Sequence, residues 1–244
     1  MNVSSRAVSA ILGMVLVLAV LASLVTVIVV YKLPVIEKRA EFRHELELLD
    51  RFFELQKTYS GKVCESFELG SGPTILINTH ESSSFGVWKS GSVLVTVYYN
   101  GTSFTARGKL FGFNLSIYPS RLPGFKAVVT PLGTAVYQDS LRLNVSDEHG
   151  QFLNSSLLVN STSVVAYVDN YSVNGHLENF TVSGNGFASV KVFSEENVLS
   201  RTFPNATEVK FSVNSALFGH YTRTVNVAGR NVLIVFRNYS VYVW

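Results

Sequence analysis

The chain divides by the period of its apolar residues. From Ala7 to Tyr31 the sequence reads AVSAILGMVLVLAVLASLVTVIVVY, 25 positions without a charge. As a helix this run spans roughly 37 Å, against a hydrocarbon core of about 30 Å. A helix apolar on every side belongs in lipid or in a bundle of similar helices. From Leu33 to Tyr59 apolar residues recur at Leu33, Ile36, Ala40, Leu46, Leu49 and Phe53, widened by Phe42, Leu48, Phe52 and Leu55. That spacing predicts an amphipathic helix. Pro34 starts it or kinks a continuing one, Glu47 and Arg51 form an i,i+4 pair, and Ser60-Gly61 ends it.

Beyond Lys62 the period drops to two. Val93–Tyr99 and Thr102–Arg107 flank Asn100-Gly101, the strongest short hairpin signal. Further strands are predicted at Leu110–Tyr118, Lys126–Thr130, Leu141–Val145, Ser163–Val168, Asn179–Val182, Ala188–Phe193, Glu208–Val213, Thr222–Val227, Val232–Phe236 and Ser240–Trp244. Pro123-Gly124, Asn174-Gly175, Pro204 and Gly229 supply turns between them, and Ser82-Ser83-Ser84 reads as a loose loop. The expected fold is α+β: a long transmembrane-plus-amphipathic helix, then an all-β antiparallel, sandwich-like domain. Its divisions are a leader at 1–7, a transmembrane helix at 8–31, a stem helix at 32–60 and a β-rich domain at 61–244.

Composition narrows the function. Of 244 residues, 20 are basic and 17 acidic, spread without a basic block, so nucleic acid is not an expected partner. The single cysteine, Cys64, rules out an intrachain disulfide and reads as a small hydrophobe just before the first strand. The 17 asparagines include ten in Asn-x-Ser/Thr sequons, where about three or four would arise by chance. Asn2 precedes the apolar run. Asn100, Asn114, Asn144, Asn154, Asn160, Asn170, Asn179, Asn205 and Asn238 follow it and are the candidate glycosylation sites, which favours an outward-facing domain. Flanking charge argues the other way: Arg6 lies on one side of the run and Lys32, Lys38 and Arg39 on the other. We take the sequons and the β-rich domain as the stronger indication: a single-pass protein of the cell membrane with its C-terminal domain outside.

No pattern of catalytic chemistry stands out. His44, His80, His149, His176 and His220 are scattered, so no metal or cofactor is expected. Asp147-Glu148-His149 before Gly150 reads as a turn, and Thr79-His80-Glu81-Ser82 as a surface loop. No Gly-x-Ser-x-Gly, Ser-x-x-Lys or phosphate loop occurs. The expectation is a protein that is not an enzyme. Trp88, Tyr98, Tyr99, Tyr118 and Trp244 are candidates for a sugar-facing surface, with core or cross-strand pairing as the plainer role.

The N-terminus, Arg6-Ala7-Val8-Ser9-Ala10-Ile11-Leu12-Gly13-Met14-Val15-Leu16, resembles the class III signal and hydrophobic helix of archaeal type IV pilin-like proteins. Val8, Ser9 and Gly13 keep the family's places, Ala10 stands where a proline is common, and Ala40-Glu41-Phe42-Arg43-His44-Glu45 is similar to the family's juncture. The resemblance covers about a fifth of the chain. It implies that a prepilin peptidase removes the leader at Arg6, Ala7 and Val8, cutting after Ala7 or else after Arg6. The retained helix would anchor the precursor and then pack in a filament. Many bacterial pilins carry a glutamate five residues into the mature chain; Leu12, or Ile11, stands there instead. The alternative is a signal-anchored surface binding module that does not polymerise.

Overall fold

The computed structural model describes residues 3–56, 63–69, 82–119, 122–138, 141–173, 179–184 and 187–244. It opens with one helical rod. Helix α1 (Val3–Val27) passes through a π-turn, Ile28–Lys32, into α2 (Leu33–Glu54). The π-turn lies just ahead of Pro34, whose ring would press on the carbonyl one turn back in a regular helix. Widening the turn relieves that pressure, and the Leu33 amide reaches the Ile28 carbonyl, five residues back. The proline therefore neither starts a new helix nor breaks the old one.

The two parts of the rod differ in what covers them. The large apolar side chains from Ile11 to Tyr31 are 49% to 69% exposed, so none of the described residues packs on that length of the rod. This helix is long and apolar enough to cross a membrane. Helix α2 buries one stripe, Glu37, Glu41, Glu45, Leu48 and Phe52, continued by Leu55. The steps of three and four residues place these on one face. This corrects the stripe inferred from apolar spacing. Ile36, Phe42 and Leu46 face outward, while three carboxylates turn in.

Among the described residues, thirteen strands form two sheets. The first has the order β1-β10-β13-β8-β7, with β1 Val63–Glu68, β7 Leu157–Val159, β8 Ser163–Val173, β10 Phe187–Phe203 and β13 Asn231–Val243. The second runs β12-β11-β2-β3-β4-β5-β6, with β2 Ser82–Tyr99, β3 Thr102–Tyr118, β4 Phe125–Thr130, β5 Gly133–Gln138, β6 Leu141–Asp147, β11 Ala206–Ser215 and β12 Gly219–Asn226. Strand β9 (Phe180–Gly184) pairs with the first half of β2, beside β11 on the second half. The packed sheets and the N-terminal helix make the fold α+β, as expected. All pairings are antiparallel except β8 with β13. Between β8 and β13 the chain visits the second sheet as β9, returns to the first as β10, and visits the second again as β11 and β12.

Several expectations need revision. Ser82-Ser83-Ser84 is not a loop but the start of β2: Ser83 is buried, pairs with Ile117, and donates its hydroxyl to the Leu69 carbonyl. Cys64 lies within β1, opposite Lys191, and not ahead of the first strand. Asp147 ends β6, and helix α3 (His149–Ser156) follows at once. The final strand, β13, lies between β10 and β8 and is not an edge.

The interior holds two cores. One joins Leu48, Phe52 and Leu55 of the stem to Phe85, Phe113 and Leu115 of the second sheet and Val190 and Val241 of the first. Its rings form a chain: Phe52 to Phe85 at 6.2 Å, Phe85 to Phe113 at 5.9 Å, Phe113 to Phe111 at 5.0 Å and Phe111 to Tyr171 at 4.0 Å. The other core gathers Val93, Val95, Val97, Phe211, Val232 and Ile234, with Leu153 of α3 beside them. Strands β2, β3, β8, β10 and β13 thread both. At the waist their inward parity switches: β3 buries Ala106 and Leu110, then Phe111, Phe113 and Leu115; β13 buries Val232 and Ile234, then Tyr239 and Val241. There Arg237 grips buried Asp169 through two bonds, Nε at 2.6 Å and Nη2 at 2.9 Å, with its guanidinium 4.4 Å from the Tyr167 ring centre. Burial is the first influence on Arg237 and favours its neutral form; Asp169 outweighs it and keeps the group charged.

Candidate functional site

Register brings one set of side chains together on the outer face of the second sheet. Phe113, Leu115 and Ile117 of β3 point into the core, so Asn114, Ser116 and Tyr118 point away from it. Ser116 pairs with Lys126, and Lys126 with Tyr137, giving a row across three strands. Trp88 pairs with Gly112 on the other side. These residues line a groove of about 730 Å³, which also takes in Phe125, Val128 and, from the β11–β12 turn, Leu217. A hydrogen bond from the Ala216 amide to the Ser90 carbonyl, 3.4 Å, ties that turn down.

Two glycines let large groups approach this face closely. A Cβ on Gly112 would lie 3.1 Å from Trp88 Nε1, and one on Gly86 would lie 2.3 Å from Asn114 Oδ1. Trp88 Nε1, Asn114 Oδ1 and the buried Ser90 Oγ make no hydrogen bond among the described residues. Buried polar groups are nearly always paired, so three orphans on one face are unusual. The lining mixes aromatic rings with an amide, a hydroxyl and one ammonium, and bears no carboxylate.

A second polar cluster lies at the α3 end. His149 stacks on Tyr221 at 3.9 Å, and its Nδ1 lies 2.7 Å from Asp147 Oδ1. The Tyr221 hydroxyl donates to Asp147 Oδ2 at 2.9 Å. Burial would raise the Asp147 carboxyl, but its bonds to His149 and Tyr221 outweigh that and hold it lower. Nothing here supplies a nucleophile with a base behind it; the contacts pin α3 to β12. Among the described residues no group of three or more metal-ligating side chains gathers.

The residues singled out from sequence are scattered. Arg6, Ala7 and Val8 fall within α1. Asn100 and Asn205 sit exposed in hairpin turns, Asn144 on β6, Asn154 on α3, and Asn160 and Asn179 beside strands. Several of these asparagines also serve the fold: Asn154 Oδ1 accepts from Arg223 at 2.6 Å, Asn160 Oδ1 from the Ser163 amide at 2.6 Å, and Asn179 Oδ1 from the Lys89 amide at 3.1 Å. Asn114, Asn170 and Asn238 are half-buried within strands, and the last two face each other across the parallel pair. Asn2, His80, His176 and most of Thr79–Ser82 lie outside the described residues. Of the five aromatics considered, Trp88 and Tyr118 meet in the groove. Tyr99 packs at a tilt against Phe203, while Tyr98 and Trp244 are exposed elsewhere.

No family model, curated protein or solved structure matches this chain. Its function is therefore argued from its own geometry. Sequence reasoning missed Tyr137, Lys126 and Ser116 as groove residues. The signal was present in the alternation of β3, but the row across β3, β4 and β5 needs their register.

Proposed function

We propose that this chain is a membrane-anchored, pilin-like cell-surface glycoprotein, a subunit able to enter a type IV pilus-like filament. The observation that carries the reading is the stretch of α1 from Ser9 to Val27, uncharged on all sides and exposed along its length. Burying each of its large side chains is worth roughly 1.5–3 kcal/mol, which lipid supplies in the precursor and neighbouring helices supply in an assembly. Val35, Ile36, Phe42 and Leu46 extend that apolar surface onto the outward face of α2. In this reading the leader is removed by a prepilin peptidase, the β domain faces outward, and exposed sequons such as Asn100 and Asn205 carry glycans.

The test is the N-terminus of the protein purified from its native membrane. A chain beginning at Val8, or at Ala7, supports processing, and replacement of Arg6 is expected to block it. An intact Met1 overturns the pilin reading. The groove supports a second reading, a tethered adhesion or binding module that does not polymerise. Electron microscopy of the processed protein separates the two, since filaments sink the tethered module and a monomer alone favours it.

A further inference from the structure

We propose that the groove between Trp88, Tyr118 and Tyr137 is a binding site for a neutral saccharide. A pyranose ring has apolar C–H faces and a hydroxyl rim, so its site needs aromatic rings to stack on and polar groups at their edges. The groove supplies both. Trp88, Tyr118 and Tyr137 provide the rings, and Asn114, Ser116 and Lys126 provide donors and acceptors beside them. Its volume of about 730 Å³ suits two or three sugar rings, within the range of small-ligand sites.

Other chemistries fit less well. An anion would find one lysine and no arginine in the lining, and a metal ion would find no carboxylate. A purely apolar ligand would leave Asn114, Ser116 and Lys126 without partners. The unmet hydrogen-bonding capacity of Trp88 Nε1, Ser90 Oγ and Asn114 Oδ1 is concentrated on this face. The site lies on the outer sheet face, and its Gly124 end neighbours Leu122, which shares a pocket with Pro34, Val35 and Phe42 of the stem.

The assignment also gives Asn114 a role that competes with its sequon. A glycan on Asn114 would fill the groove from within, so the proposal requires this sequon to stay unmodified while exposed ones are open to modification.

The full chain, carrying Trp244→Phe so that Trp88 is the one remaining indole, is titrated in a non-sugar detergent. The probes are trisaccharides of glucose, mannose, galactose and N-acetylglucosamine. The expected result is a saturable change in Trp88 fluorescence with at least one of them. Tyr118→Ala is expected to weaken that binding about tenfold, the worth of one stacked ring. Tyr118 is exposed, so the variant should fold, and circular dichroism checks that it does. Tyr137→Ala should weaken binding likewise, and Tyr98→Ala, outside the groove, should not. The proposal falls if no trisaccharide gives saturable binding, if Tyr98→Ala weakens it as much as Tyr118→Ala, or if mass spectrometry of the native protein finds a glycan on Asn114.

Discussion

The stem-facing core and the distal core share β2, β3, β8, β10 and β13 but are completed differently. The distal core is completed by β11, the β11–β12 turn and α3. The stem-facing core is assembled from remote pieces, with residues 48–55 meeting 85–87, 111–129, 188–192 and 239–243. The end of the helical rod fills it. Leu48, Phe52 and Leu55 are thus part of the domain's interior, and the domain cannot turn freely on the rod. Strain applied to α1 reaches the sheets through Leu48, Phe52 and Leu55.

Two matched truncations test this difference most strongly. Phe52 and Phe211 are both fully buried, one in each core. Phe52→Ala and Phe211→Ala should each cost about 3–5 kcal/mol. Their signatures should differ. Phe52→Ala should remove amide hydrogen-exchange protection from α2, β1 and the first half of β2, leaving the distal strands protected. Phe211→Ala should loosen β11, β12 and the second half of β2 first. Identical exchange patterns would mean one cooperative core, and the contrast would be lost.

The waist between the cores also explains what could be read from sequence. The apolar anchor, the Asn100-Gly101 hairpin and most strand positions were legible, because each depends on local period or turn chemistry. The long strands were not. β3 was read as Thr102–Arg107 and Leu110–Tyr118, and β13 as Val232–Phe236 and Ser240–Trp244. In both, the buried parity changes where the chain passes from one core to the other. A period-two pattern that slips by one residue looks like two strands. Ser82–Ser84 was obscured by composition, since polar side chains there occupy strand positions, one of them buried. The inward face of α2 was hidden for a related reason. Glu37, Glu41 and Glu45 take positions that apolar spacing assigns to solvent. The groove was half legible: Trp88 and Tyr118 drew notice as aromatics, but only strand register brings Asn114 and Tyr137 to them.

Of those glutamates, Glu45 gives the stem-facing core a pH dependence. Burial, with the nearby Glu41 carboxylate adding to it, pushes the Glu45 carboxyl up from 4.5 to about 7. The folded state therefore holds a proton that the unfolded chain releases at lower pH. Its favourable contribution is complete below about pH 4.5, declines as the pH rises, and is gone above about pH 7. Melting temperature measured from pH 5 to pH 8 should fall through that window. Glu45→Gln, which keeps the shape without the charge, should flatten the Glu45 component. An unchanged slope in the variant would remove Glu45 from the account.

The smallest effect should come from the distal tip, where local geometry alone is at stake. Asn100 and Gly101 turn the β2–β3 hairpin with φ of 47° and 74°. Two successive positive φ values match the twist of the strands they join, and glycine holds the second at no steric cost. Nothing lies within 4 Å of a Cβ placed on Gly101, so a substitution there meets no neighbour and its penalty is conformational. Gly101→Ala should cost about 1 kcal/mol in chemical denaturation. Its increased exchange should be confined to the ends of β2 and β3, with α2 and β1 unchanged. Altered protection in the stem would show that the distal hairpin reports on the anchor, and the two cores would then be coupled through the full length of β2 and β3.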